Sequence, residues 1–467
     1  GWRMLMSCLA AGRSISLPAT SAAAAKSLLR TTTAYARIRK QFNLPIGYME
    51  GVEEPLARMV ETAYGLEAAR AVTASMVSAG EKPAVISALL KYVSTDRMRQ
   101  SVNDALDIHG GRGICDGPSN YIQGAYQMVP VGITVEGANI LTRTLITFAQ
   151  GALRSHPYLF TEIEALQNRD QDKGVPDFER AFDGHVAFTL SNIFGSLFHN
   201  LTLGAFASAP PNSGATRRWW KQLARASRSF ALVADATVAL LGGGLKVKQK
   251  ITGRMADALA ELYLLSCILK RYEDDGCPRA DQKFVDYCAE NCIYRFDKAL
   301  AGTLDNFPIA SVGLVMRPLV FPYGFARNPA SDKDGKAIVR VALQPGELRD
   351  RLTRDIFITD DPKDRVGLLE HTLLKVIAAE EADKKLERAI RKGEVRRDYN
   401  NDWIAEAEKK NIITAEEASA LAEVRDLTAR VIAVDHFDAA ELARGQQTAR
   451  NAGAHSFIPP KDSIAAE

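Results

Sequence analysis

The strongest constraint on this chain is where its helix breakers fall. Over about the first 150 residues, apolar positions recur every three or four residues, and proline and glycine sit between the runs. Residues 4–38 are rich in Ala, Leu and Ser, with Pro18 as the main breaker. Residues 52–79 set Leu56, Met59, Ala63 and Leu66 on one face, with Pro55 tolerable only near that helix's start. Pro83 opens a third run through Ile86, Leu89, Val93, Met98, Val102 and Leu106, which stops at Gly110 and Gly111. A short helix follows near 118–128. Thr134 is then the expected N-cap of a helix whose stripe is Ala138, Leu141, Leu145, Phe148 and Ala152. Strands do not alternate with helices, so a doubly wound sheet is excluded. Short connections favour up-down packing, which predicts an all-α chain opening with an antiparallel four-helix-type bundle.

Pro157 and "QNRDQDKGVPD" (167–177) mark the next boundary, dividing the chain into 1–154 and 155–467. The second part reads as a mostly helical domain, with helices expected at 177–204, 217–241, 249–273, 281–302, 364–392 and 415–435. "SAPPNSGAT" (208–216) has the composition of a linker. Pro318, Pro322, Pro329 and Pro345 break up 318–346, where the β-branched run "AIVRVAL" (337–343) suggests a short extended segment. The end, "GAHSFIPPKDSIAAE", reads as an irregular tail.

Composition is that of a globular protein, 46% hydrophobic and 25% charged over 467 residues. The net charge of +3 carries no nucleic-acid signature. The six cysteines match no zinc spacing, so no metal site is expected and a reduced intracellular setting is. Cys288 and Cys292 read as buried small residues. The chain opens at Gly1 in what looks like the middle of a helix, as a fragment of a longer protein would. No apolar run reaches the ~20 residues that span a bilayer. Residues 217–250 set Arg217, Arg218, Lys221, Arg225, Arg228, Lys246, Lys248 and Lys250 against Asp235, with Trp219, Trp220 and Phe230 among them. That pattern suits peripheral contact with an anionic membrane surface, or a solvated basic face with the tryptophans in the core. The mixed charges of 380–398 read as a solvated helix face.

Three stretches could carry chemistry. In "ITVEGANILTR" (133–143), Glu136 stands among small and apolar neighbours. Capped by Thr134, it would be a first-turn acid favoured by the helix dipole. Alternatively it is a general base, which must lie within reach of the proton it takes. In "DIHGGRGICDG", Gly110, Gly111 and Gly113 allow a sharp turn or close approach to a phosphate, but no strand precedes them, so the dinucleotide fingerprint fails. In "YARIRKQFNLPI", Arg37, Arg39 and Lys40 precede Phe42. These form either a solvated helix end or an arginine that grips phosphate beside an aromatic cover.

Taken in order, "GWRMLMSCLAAGR", "YARIRKQF", "PLARM", "DIHGGRGI" and "TVEGANILTR" make the first 150 or so residues resemble the C-terminal helical domain of the acyl-CoA dehydrogenases. Within that family the chain is most similar to the large bacterial fatty-acid β-oxidation type, in which a long helical extension follows the catalytic domain. The resemblance implies FAD as cofactor and conversion of a medium- or long-chain acyl-CoA to its trans-2-enoyl-CoA. Glu136 would take the α-proton. Arg13 would lie near bound acyl-CoA. Arg39 and Phe42 would stand at FAD-binding positions, Gly110 and Gly111 in the flavin-nucleotide loop, and Gly137 and Asn139 beside the flavin. It further implies a homodimer, an electron-transfer flavoprotein as partner, and a bacterial cytoplasmic location, peripheral to the inner membrane if 217–250 docks there. Departures are Asp107 and Glu50 where glutamine is usual, Ala138 and Asn139 in place of Thr-Ser, and Ala10 where an acid often assists substrate. Two domains that the family places before this point are not in the chain, which predicts poor FAD binding by these residues alone. A non-catalytic helical interaction module and an acyl-CoA oxidase are the competing readings.

Overall fold

The computed structural model describes residue 9 and residues 12–325, 327–397 and 401–435. Ala10 and the tail after 435 lie outside that set, as does most of "GWRMLMSCLAAGR". The described chain is almost entirely helical. The bundle consists of α1 (Leu17–Ile38), α2 (Glu50–Ser78), α3 (Ala84–His109) and a broken fourth helix after α4 (Gln123–Thr134). Pro18 sits in the first turn of α1, where its missing N–H costs nothing. Glu50 and Glu53 occupy the first turn of α2, and Gly110, at φ 58° and ψ −134°, ends α3. Cross-links give the directions. Lys26 of α1 pairs with Glu67 of α2, and Arg58 of α2 with Asp104 of α3, while Tyr35 and His109 stack at the C-terminal ends of α1 and α3. Hence α1 and α3 run parallel, with α2 antiparallel to both. Asn139 meets Thr95, and Gly151 faces Val85, so the fourth helix runs antiparallel to α3.

That fourth helix corrects the sequence reading. Thr134 ends α4, its hydroxyl donating to the Pro130 carbonyl, and Ala138 is the residue at the next helix start. Glu136 therefore lies in the turn between two helices, outside any first turn. After Asn139–Leu141 the chain continues as a π-helix over Thr142–Gln150, with Thr147 Oγ1 donating to the Thr142 carbonyl five residues back. The wider pitch moves the buried face to Thr142, Ile146, Phe148 and Ala149, and leaves Ala138 and Leu141 exposed.

The second part adds α5 (Leu159–Leu166), α6 (Gln171–Leu201), α7 (Arg217–Leu241), α8 (Gln249–Asp274), α9 (Gln282–Asp305), α10 (Ala310–Val320), α11 (Asp332–Ala342), α12 (Gly367–Ala378), α13 (Glu380–Arg391) and α14 (Ala415–Ile432). The run 337–343, expected to be extended, instead forms the second half of helix α11, with Leu343 as its C-cap. Ser331 caps it by accepting from the Asp334 N–H, and Ile338, Val339 and Ala342 bury one helical face. Tertiary burial overrides β-branched propensity here. The helix expected over 364–392 breaks at Ala379.

The two parts share their cores. One core joins Leu89 and Phe148 of the bundle to Leu264, Leu265, Ile268 and Phe296. Another joins Tyr35, Leu56 and Met59 to Ile338, Val339, Leu369 and Leu373. Cys288 and Cys292 lie within the first core, where burial pushes both thiols up and keeps them unreactive.

At the start of α7 the tryptophans and Arg225 turn inward, while Arg217 and Arg218 stay exposed. Trp219 donates to Asp286, Trp220 to Glu273, and Arg225 pairs with Asp297. By length and hydropathy Gly214–Lys246 could cross a bilayer, yet one face of it, with Trp219, Ala226, Leu232, Val233 and Val238, packs into the first core. The exposed basic residues of 217–250 are Arg217, Arg218 and Arg228 on α7 and Lys246, Lys248 and Lys250 at its far end.

Candidate active site

The turn at 135–138 is held in an unusual backbone state. Glu136 has φ 56° and Gly137 φ 98°, so a branched-free acid sits in the left-handed region that favours glycine. Three side chains fix it there. Arg13 Nε donates to the Glu136 carbonyl at 2.7 Å. Lys91 Nζ donates to the Gly137 carbonyl at 2.7 Å, to the Ile133 carbonyl at 3.2 Å and to Asn139 Oδ1 at 2.7 Å. Thr142 Oγ1 also donates to the Gly137 carbonyl. Lys91 is fully buried, and desolvation, with repulsion from Arg13 behind it, pulls its ammonium down to about 8.

The Glu136 side chain folds back onto Gly12. A Cβ there would lie 2.6 Å from Glu136 Cδ and Oε1, so glycine is what makes room for the carboxylate. Oε2 is buried and has no hydrogen-bond partner, and among the described residues the Glu136 N–H donates to none. A buried orphan acceptor is costly, and such groups mark places where another molecule completes the site. Arg13 is 2% exposed, and burial lowers its guanidinium while Glu136 partly offsets that.

Asn139 has a different task from the one its position implied. Its amide donates to Thr95 Oγ1 at 2.8 Å, Asp96 Oδ1 at 2.9 Å and the Tyr92 carbonyl at 3.3 Å, while its oxygen accepts from Lys91. It ties the turn to α3, and its side chain is 6% exposed.

The remaining expected positions gather at the other end of α3. After α1, the two-residue strands β1 (Lys40–Gln41) and β2 (Leu44–Pro45) pair antiparallel around Phe42 and Asn43, at φ 51° and 63°. This is the hairpin-turn geometry normally given to Asn-Gly. Phe42 at its tip is 90% exposed. Arg39 donates to Tyr35 Oη at 2.6 Å. Tyr35 stacks on His109 at 4.1 Å, His109 Nε2 lies 2.6 Å from Tyr121 Oη, and the Arg112 guanidinium lies over the Tyr121 ring. This stack joins the hairpin to the Gly110–Gly111 loop. Burial depresses the His109 imidazole to about 3, so it is neutral. A Cβ at Gly110 would meet nothing within 4 Å, and its φ and ψ are accessible essentially to glycine alone. These open elements fit a flavin nucleotide: a bare backbone loop, a guanidinium and an exposed aromatic. Residues 433–435 border the same loop, with Arg112 donating to the Ala433 carbonyl and the Ser119 N–H donating to the Asp435 carboxylate.

Base and nucleotide loop are far apart within one chain. Lys91 and His109 lie 18 residues apart on α3, or roughly 27 Å at the rise of an α-helix. Sequence reasoning did not find Lys91, His109 or Tyr121. Lys91 carried a signal, being a lysine within the apolar face of a helix.

Residues 153–437 match the family described as acyl-CoA dehydrogenase, C-terminal, bacterial type, and residues 1–149 match the acyl-CoA dehydrogenase C-terminal domain. This chain belongs to the acyl-CoA dehydrogenase family. A 3-(aryl)acrylate reductase of Clostridium sporogenes is 36% identical over 116 residues, which cover 24% of this chain and 30% of that protein. The fold is similar to that of an acyl-CoA dehydrogenase of Bacillus anthracis complexed with FAD, with a TM-score of 0.52 and 18% identity, covering 72% of this chain and 55% of that one. An acyl-CoA oxidase-1 of Caenorhabditis elegans complexed with FAD and ATP aligns with a TM-score of 0.45 and 16% identity, over 79% of this chain and 53% of that one. This chain thus spans between about a third and just over half the length of these relatives.

Proposed function

We propose that this chain carries the base and part of the flavin site of an FAD-dependent enzyme that removes the α and β hydrogens of an acyl-CoA thioester. The observation that carries the reading is Glu136, a half-buried carboxylate with one buried orphan oxygen, on a main chain pinned by Arg13 and Lys91. Bound FAD would supply the acceptor for the β-hydride. Glu136 takes the α-proton, and its unengaged N–H is available to the thioester oxygen as negative charge develops there. Only Oε2 of the carboxylate is shielded from water, while the turn itself is partly open. The Clostridium relative is named for reducing an arylacrylate, chemistry at the same kind of carbon–carbon bond in the opposite direction.

A medium- or long-chain substrate, a role in fatty-acid β-oxidation, and an electron-transfer flavoprotein as acceptor belong to the same proposal, as does a bacterial cytoplasmic location. So does a homodimer. The separation of base and nucleotide loop along α3 supports a composite site in which one chain provides Glu136 and a second copy provides Phe42 and Gly110. Peripheral membrane contact through 217–250 would rest on its exposed basic residues, Arg217, Arg218 and Arg228 on α7 and Lys246, Lys248 and Lys250 beyond it.

The test is anaerobic bleaching of the flavin in the holoenzyme by octanoyl-CoA and palmitoyl-CoA, with Glu136→Gln beside the parent. Loss of a general base lowers the rate by about 10²–10⁴-fold. An unchanged rate overturns the assignment. Oxygen consumption against reduction of an electron-transfer flavoprotein separates oxidase from dehydrogenase.

A further inference from the structure

Helix α13 presents two distinct faces. Ala382, Leu386 and Ala389 turn into a small core with Ile404, Ala407, Ala418 and Leu421, which joins α13 to α14. Glu380, Asp383 and Glu387, spaced by three and four residues, share the other side. The mixed charges of this stretch are expected to face solvent, and Glu381 does, paired with Lys384 on the same helix. The other three acids meet the end of α1 and the hairpin that follows it. Glu380 pairs with Arg37 at 2.9 Å, and Asp383 with Lys40 of β1. Glu387 holds Arg397, whose Nη1 donates to Asn43 Oδ1 at 2.7 Å, beside Phe42 at the hairpin tip.

The far end of the same unit reaches the glycine loop. Past Ile432 the chain runs along that loop, where Arg112 donates to the Ala433 carbonyl at 2.9 Å, Val434 lies against Gly111, and Asp435 accepts from the Ser119 N–H. Arg365, just before α12, donates to the Asn120 carbonyl. An isolated two-stranded hairpin is marginal, and residues 40–44 are exposed, so links of this kind rather than burial set its place. Hairpin and loop are joined from within by the Tyr35–His109 stack. From outside they are joined by the packed unit of α13 and α14.

We propose that this unit of the second part is a brace for the flavin site: it positions the Phe42 hairpin and the Gly110–Gly111 loop, and so sets how long FAD is retained. The proposal rests on the reading of those two elements as flavin-facing. Glu380, Asp383 and Asp435 are positioning residues that act through Arg37, Lys40 and the loop backbone.

The rate at which the holoenzyme loses FAD after dilution, read as the rise of free-flavin fluorescence, tests this. Asp383→Lys sets two ammonium groups face to face, and Glu380→Gln with Asp383→Asn removes both pairs. Each quickens release by about fivefold or more, the upper range for exposed ion pairs. Asp383→Glu keeps the charge and stays within about twofold of the parent. Glu381→Gln makes the same change of charge on the solvent side of α13 and leaves release unchanged, which a general loss of helix stability would not. Unchanged or slower release in the double variant overturns the proposal, as does equal quickening by Glu381→Gln. Phe42→Ala and Gly110→Ala probe the reading beneath it. If both release FAD at the parent rate, hairpin and loop are not the flavin site and reading and proposal fail together. If they quicken release while the α13 variants do not, only the brace is wrong.

Discussion

Lys91 Nζ stands 2.7 Å from the Gly137 carbonyl and 2.7 Å from Asn139 Oδ1, so a single buried ammonium closes the turn that carries Glu136. Lys91→Met leaves the Gly137, Ile133 and Asn139 acceptors without that donor. We expect a loss of about 3 kcal/mol or more, from orphaned buried groups at ~1–3 kcal/mol each, read by urea unfolding. Activity should fall further than stability explains, because the left-handed Glu136 backbone loses its clamp. Wild-type-like flavin bleaching in Lys91→Met would contradict this role.

The same lysine has a pH signature. Its folded pKa, about 8, lies below the ordinary 10.5, so the unfolded chain holds more protons between those values. Stability from this group therefore rises as pH increases from about 8 toward 10.5. The stability difference between parent and Lys91→Met, measured by urea unfolding, should widen over that range. A difference that shrinks there refutes the assignment.

Gly12→Ala separates packing from chemistry. The added Cβ meets the far end of the Glu136 side chain at 2.6 Å, and a flexible carboxylate can move aside. Thermal stability should change by less than about 1 kcal/mol, in the range of ordinary Gly-to-Ala changes. Turnover should fall by ~10²-fold, since displacing a reacting group by an ångström costs that much. Equal activity in Gly12→Ala means that the back-folded Glu136 rotamer is not the reactive one.

Much of this was legible in the chain itself. Helix α7 begins and ends where composition put it, because Pro211, Gly214 and Gly242 are local signals. Glu136 was legible as a residue and misplaced as a conformation. Thr134 looks like a cap, yet its hydroxyl is spent on Pro130, and a π-helix then shifts the register by a fraction of a turn that no 3.6-residue pattern reveals. Lys91 and His109 were not legible. Their partners lie at Gly137, Asn139, Tyr35 and Tyr121, and only folding decides which buried polar residue meets which. The exposed apolar row Phe182, Val186, Leu190 and Phe194 on α6 was likewise hidden, since an i, i+4 row reads as core until its neighbours are known.

Asp435 should order the loop after Gly110–Gly111. Its carboxylate accepts from the Ser119 N–H at 3.1–3.2 Å and packs against Gly117. In Asp435→Ala, amide hydrogen exchange at residues 117–120 should quicken by roughly tenfold or more, the equivalent of one charge-assisted bond. Exchange on α8 should stay unchanged. Equal rates at 117–120 in both proteins would show that the contact contributes nothing.

His185 links three helices and gives the second part its own pH dependence. Its Nδ1 lies 2.8 Å from Glu162 of α5 and its Nε2 2.8 Å from Asp235 of α7, while His185 itself belongs to α6. Burial opposes its charge, but hydrogen bonds to Asp235 and Glu162 outweigh that and raise it above 6.5. Burial likewise pushes Asp235 up, and the hydrogen bonds from His156, Thr189 and His185 hold it down at about 2. A raised histidine contributes stability that is complete below its unfolded value and lost as pH rises through its folded one. A depressed aspartate contributes stability that is complete above 3.8 and lost as pH falls toward 2. The melting-temperature gap between parent and His185→Gln should thus be widest near pH 5 and close above neutrality. The cluster resembles a metal site, with ligand atoms within 4.8 Å of one another. However, His156 Nδ1 accepts from the N–H groups of Tyr158 and Leu159, which puts the proton on Nε2, facing Asp235. With that lone pair taken, added zinc should leave the melting temperature unchanged at pH 7.5, and a zinc-dependent rise abolished in His156→Ala would reverse this reading.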